Sequence, residues 1–106
     1  MSGLALPVEI LVVRPWPDSL DPIRSALFAA GFSPTFHLVD IEPALHAALT
    51  RGGFDIVIYD PATTGVSRAT VQACIDMLRP GTPLVVLRDL ADLGSQLAAV
   101  LETRRN

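Results

Sequence analysis

Phe54-Asp55-Ile56-Val57-Ile58-Tyr59-Asp60-Pro61 is a short, β-branched apolar run that stops abruptly at an acid and a proline. Ile10-Leu11-Val12-Val13-Arg14-Pro15 repeats the pattern near the start, ending on a base. Continuous apolar runs of this length read as strands of a parallel sheet buried on both faces, and open α/β folds place their sites at the carboxyl ends of such strands. The chain therefore sets Asp60 and Arg14 at two strand ends.

Working outward, strand-then-helix units follow one another. Residues 8–13 read as a first strand, and Asp18 or Asp21 as the cap of a helix running to about Ala30, with Pro22 in its first turn and Gly31 ending it. Ile23, Ala26, Leu27 and Ala30 make its inward stripe. Residues 34–39 form a second strand, less apolar and carrying His37, hence an edge. Asp40 caps a second helix with Pro43 in its first turn, Leu45, Ala48 and Leu49 inward and Gly52-Gly53 as its stop. Residues 54–59 are the third and most buried strand, and Pro61 to Gly65 is a loop. A third helix spans about Val66 to Leu78, with Val71, Cys74, Ile75 and Leu78 inward, and breaks at Pro80-Gly81. Residues 83–87 form a fourth strand, and a last helix spans 90–103 with Leu90, Leu93, Leu97, Val100 and Leu101 on one side. Alternating strands and helices force parallel pairing and right-handed crossovers, hence a three-layer α/β sandwich.

Composition bounds the function. A chain of 106 residues that is 50% hydrophobic and 18% charged is one domain able to bury a core without metal or disulfide. The single Cys74 forms no internal disulfide, and the composition suits a cytoplasmic protein. A net charge of −3 argues against an extended nucleic-acid footprint. No apolar run approaches the ~20 residues of a membrane span, and no basic region precedes an apolar core at the start, as a signal peptide requires. Every cation is arginine; there is no lysine, a bias that points to a GC-rich bacterial genome. His37 and His46 are too scattered for a metal site. Cys74 falls on an inner helix face, as a buried inert thiol does. There is no Ser/His/Asp set at strand ends for hydrolysis, and no glycine-rich turn after the first strand for a dinucleotide.

The order and intervals of these segments resemble the receiver domains of bacterial response regulators. The likeness rests on Ile10-Leu11-Val12-Val13, Pro17-Asp18, Ala29-Ala30-Gly31-Phe32, Phe54 to Pro61, and Thr82-Pro83-Leu84-Val85-Val86-Leu87. It implies a flavodoxin-like sandwich with a four-stranded parallel sheet of order 2-1-3-4. The alternative is a last helix that replaces the family's final one after loss of a helix-strand pair; a fifth strand has no segment of its own. The resemblance also implies a two-component signalling role with Asp60 as the phosphoacceptor position. Because the last helix is followed by almost no tail, the expectation is a regulatory segment of a longer protein.

The chain departs from the family where phosphotransfer chemistry lies. The two acids that help hold Mg²⁺ after the first strand are here Arg14 and Pro15. The Ser or Thr ending the fourth strand is Arg88, and the phosphoryl-neutralising lysine has no counterpart. The expectation is a pseudo-receiver that is not an enzyme, holds no cofactor, and acts through a linked sensor or output domain, a protein partner or a homodimer. One or both of Arg14 and Arg88 would pair with Asp60, since an arginine fork satisfies a carboxylate. The alternatives are a phosphoaccepting receiver, with Mg²⁺ bound through Asp18 or water, and a small anion- or nucleotide-sensing module using Thr63, Thr64 and Gly65 at a helix start. Trp16, between two prolines, and Leu93 and Leu97 of the last helix are the expected contact residues, together with the fourth-strand edge.

Overall fold

In the computed structural model, residues 6–15 and 19–105 are described, with side chains through residue 102. The element order is β1 (Leu6–Val13), α1 (Asp21–Ala29), β2 (Phe32–Val39), α2 (Glu42–Arg51), β3 (Ile56–Tyr59), α3 (Arg68–Leu78), β4 (Leu84–Val86) and α4 (Leu90–Arg105). All strands pair in parallel in the order β2-β1-β3-β4. The arrangement is the α/β sandwich expected from the alternation of segments, with the flavodoxin-like strand order that the resemblance implies.

The two faces of the sheet carry separate cores, because successive strand residues point to opposite sides. Leu11, Val13, Val57 and Tyr59 pack with Leu45, Leu49, Val71, Cys74 and Ile75 under α2 and α3. Ile10, Val12, Ile56, Ile58 and Val85 pack with Ile23, Leu27, Leu93 and Leu97 under α1 and α4. Ile10, Leu11, Val12 and Val13 are each 0% exposed, which is why β1 reads as an unbroken apolar run.

The face taken by α4 differs from that of a helix leading to a fifth strand. A right-handed crossover to a fifth strand beyond β4 would carry its helix over the same face as α3. Helix α4 instead lies on the opposite face, against α1, where Gly94 comes close to Ala30. The sheet has four strands among the described residues, and α4 closes the α1 layer. Leu93 and Leu97 are fully buried beneath it, which corrects their reading as contact residues: their three- and four-residue spacing marks the packed side of the helix. Leu90, at its first turn, is exposed.

Several boundaries differ from expectation for identifiable reasons. Strand β3 begins at Ile56, not Phe54, because the Asp55 carboxylate accepts the Glu9 N–H (2.8 Å) while the Asp55 N–H donates to the Glu9 carbonyl (2.8 Å). A side chain replaces one rung of the ladder. Asp40 does not cap α2; Ile41 is its N-cap in extended conformation, with no side-chain cap. Pro43 removes one of the N–H groups that a capping oxygen would bind. Helix α1 likewise has Leu20 at its N-cap and Asp21 inside the first turn, where its carboxylate accepts from Arg24 (3.1 Å). Asp18, the other expected cap, and Trp16 lie outside the described residues. Helix α3 starts at Arg68, capped by Ser67, whose Oγ accepts the Thr70 N–H (3.1 Å). Gly31, at φ +93°, takes the left-handed turn that ends α1.

Candidate functional site

In a sheet of order β2-β1-β3-β4, the crossovers from β1 and β3 depart to opposite faces. The carboxyl ends of these neighbouring strands therefore form the topological switch point, where open α/β sheets hold their ligands. Arg14 and Asp60 are the residues that follow β1 and β3 there.

Backbone pairing carries both residues one step past their strands. The Arg14 N–H donates to the Val39 carbonyl (3.0 Å) and the Asp60 N–H to the Val13 carbonyl (2.8 Å). With the two backbones held in register, Arg14 Nη1 stands 3.4 Å from Asp60 Oδ2. Their side chains are only 17% and 14% exposed, so water screens the pair poorly. The other carboxylate oxygen, Oδ1, accepts the Ala62 N–H (2.9 Å) in an Asx turn. Both Asp60 oxygens thus already have donors.

The loop after Asp60 is built inward. The Thr63 N–H donates to the Asp60 carbonyl (3.0 Å), and the Thr63 hydroxyl donates to the Val13 carbonyl (3.2 Å). Tyr59, buried beneath, donates its hydroxyl to the Val66 carbonyl (3.0 Å), with the Thr63 carbonyl at 3.4 Å. A Cβ at Gly65 would come 2.3 Å from the Asp40 carbonyl oxygen, so glycine is what lets this loop press against the turn into α2. Replacing Tyr59 by Phe removes a donor from carbonyls in a buried setting and is expected to cost about 1 kcal/mol, measured by chemical denaturation. An unchanged denaturation midpoint would mean that the Tyr59 hydroxyl contributes nothing to the loop.

These contacts place the residues singled out from sequence. Arg14 reaches Asp60; Arg88, after β4, is exposed and forms no ion pair with Asp60. Pro15 is half-buried beside Arg14 and brings no side-chain oxygen. Of the expected anion-binding set, Thr63 is buried with its hydroxyl committed to Val13, Gly65 packs on the Asp40 carbonyl, and Thr64 is exposed. The nearest helix N-terminus is capped by Ser67. His37 is exposed on β2, where its ring lies 6.0 Å from that of Phe54, and His46 is exposed on α2. Burial pushes the Cys74 thiol above its ordinary range, and the Glu42 carboxylate adds to the shift, which disfavours the thiolate.

The donor set does not fit a divalent cation among the described residues. Mg²⁺ requires several oxygen ligands in octahedral geometry, and no three His, Cys, Asp or Glu side chains converge. At Asp60 a guanidinium occupies the ground where a second carboxylate would be needed.

Sequence reasoning missed two features. Arg79 donates from Nε to the Leu49 carbonyl (2.9 Å), and its Nη2 lies 3.5 Å from the Thr50 carbonyl, tying the end of α3 to the last turn of α2. No local signal marks a contact across that interval. The Ser67 cap did carry one, a hydroxyl three residues before Thr70 and ahead of an apolar stripe. A concavity lined by Leu6, Phe32, Asp55, Ala98 and Leu101 lies at the amino-terminal end of the strands, remote from Asp60. Its two acids are Asp55, whose carboxylate already accepts the Glu9 N–H, and Glu102. Among the described residues, no helix is long and apolar enough to cross a membrane. Compared with known proteins, the chain matches no family model and none of the curated proteins.

Proposed function

We propose that this chain is a signal-transduction pseudo-receiver of the cytoplasm, which acts by protein contact and does not undergo Mg²⁺-dependent aspartyl phosphorylation. The observation that carries the reading is the Arg14–Asp60 pair at the switch point. A phosphoacceptor carboxylate must present a free oxygen to the incoming phosphorus and share a metal with the phosphoryl group. Asp60 offers one oxygen to a guanidinium and the other to the Ala62 N–H. An attacking oxygen would first have to break one of these contacts. In this reading the module communicates through its surfaces, with a linked sensor or output domain, a separate protein or a second copy.

The test is incubation with acetyl phosphate and Mg²⁺ followed by intact mass. The unmodified mass is expected throughout. A phosphoryl adduct that Asp60→Asn abolishes would instead establish the phosphoaccepting receiver.

A further inference from the structure

The sheet has two open edges, and they are built differently. In the β1–β2 ladder, the Leu6 and Arg14 N–H groups donate to the Gly31 and Val39 carbonyls. The odd-numbered residues of β2 therefore face β1, and Phe32, Pro34, Phe36 and Leu38 direct their backbones outward. Pro34 removes a donor from the middle of that edge, a common device against unwanted strand pairing.

At the other edge, the Val57 N–H donates to the Pro83 carbonyl (2.9 Å) and the Leu87 N–H to the Tyr59 carbonyl (2.7 Å). Residues 83, 85 and 87 thus face β3, leaving the N–H and C=O groups of Leu84 and Val86 directed outward. This edge holds no proline at an outward position and no charge within the strand. Beside it runs a groove between β4 and α4, lined by Leu84, Val86, Arg88, Gln96, Ala99 and Val100. The buried Gln96 Oε1 has no hydrogen-bond partner.

We infer that the outer edge of β4 pairs antiparallel with β4 of a second copy, joining two sheets into one of eight strands. This names the partner within the protein-contact reading above and rests on it. Self-pairing suits the register. A two-fold axis through Val85 sets Leu84 opposite Val86 of the second copy, and both are outward residues. Each such pair exchanges two backbone hydrogen bonds, so all four outward groups on each strand are satisfied. Charge agrees with the arrangement. Arg88 comes level with Thr82 of the second copy, and Asp89 with Gly81 in the turn that follows Arg79, so no like charges meet across the axis. The area is small: a three-residue edge and the adjoining groove fall below the roughly 800 Å² per partner of a standard interface. The dimer is accordingly expected at the weak end, with dissociation in the micromolar range or weaker.

The experiment is sedimentation velocity from below to above that range, paired with amide exchange of the same samples by NMR. Mass is expected to rise toward the dimer with concentration. Exchange at Leu84 and Val86 slows in step, while Leu87, already bonded to Tyr59, does not change. Val86→Pro, which removes an outward N–H and spares the β3–β4 ladder, is expected to stay monomeric. If it does not fold, the wild-type exchange data decide alone. A monomer at every concentration, or a dimer whose Leu84 and Val86 amides stay unprotected, overturns the inference. So does protection of these amides only on adding an extended peptide, which would assign the edge to a foreign strand. None of these results bears on acetyl phosphate labelling, so failure of this inference is distinguishable from failure of the pseudo-receiver reading.

Discussion

Arg14→Ala is expected to destabilise the domain by about 2–3 kcal/mol. Removing one partner of a fully buried ion pair costs about 3–5 kcal/mol, because the remaining charge keeps its desolvation penalty and loses its compensation. Here the side chains are 17% and 14% exposed and the contact is 3.4 Å, so water relieves part of that penalty and the lower figure applies. For a domain of this size the loss corresponds to a fall of about 10 °C or more in Tm. Asp60→Ala is expected to cost a similar amount for an additional reason, since it also releases the Ala62 N–H from its Asx turn. The double variant then costs less than the sum of the single ones, with a coupling of about 1–2 kcal/mol. Thermal and urea unfolding of the four proteins checks this. Strict additivity would mean that Arg14 and Asp60 are merely neighbours.

Gly94→Val is expected to cost about 3 kcal/mol, through the packing of α4 on α1. A Cβ at position 94 would stand 2.4 Å from the Ala30 Cβ, well inside contact distance, and both atoms are fixed to backbone. The helices must separate, which loosens Leu93 and Leu97 in the core that they share with Ile23 and Leu27. Gly94→Ala is milder, because alanine recovers about 1 kcal/mol of helix propensity that glycine gives up. Ala30→Gly removes the opposing methyl and is expected to restore most of the stability lost by Gly94→Ala. Denaturant midpoints of the single and double variants test this, and a lack of rescue would place the clash elsewhere.

The parts of the fold legible in the sequence were those set by local pattern. Ile10 to Val13 and Ile56 to Tyr59 announce central strands because both faces of each are buried, and Gly31 and Pro80-Gly81 announce helix ends because few other residues make those turns. The strand order was not legible in local pattern; it was expected from the resemblance to receiver domains, and the sheet has that order. Side-chain hydrogen bonding between distant segments was not legible. The Asp55 carboxylate shortens β3 by binding Glu9, and Arg79 reaches carbonyls of α2; neither depends on residues near it in the chain. The burial of Leu93 and Leu97 was equally hidden, since an apolar helical stripe serves a core or a partner alike and only the placement of α4 beside α1 decides.

At the site, two strand ends predicted that Arg14 and Asp60 would be neighbours. They could not show that Arg14 engages Asp60 while Arg88 stands exposed. That difference follows the register: Val13 pairs with Tyr59, which brings Arg14 level with Asp60, whereas Tyr59 pairs with Val86 on the other side, which puts Arg88 one residue beyond that level. Thr63 and Gly65 looked available for an anion because hydroxyls and glycines commonly line such loops. The packing of the loop against Val13 and Asp40 commits them to structure.

The measurement that bears most directly on the central claim is an NMR titration of the folded protein with Mg²⁺ and then beryllofluoride, an acyl-phosphate mimic, following the amides of Arg14, Asp60 and Thr63. If Arg14 and the Ala62 N–H hold both oxygens of Asp60, these resonances show no saturable shift. A saturable shift at all three that Asp60→Asn abolishes would contradict the account and return Asp60 to phosphoryl chemistry.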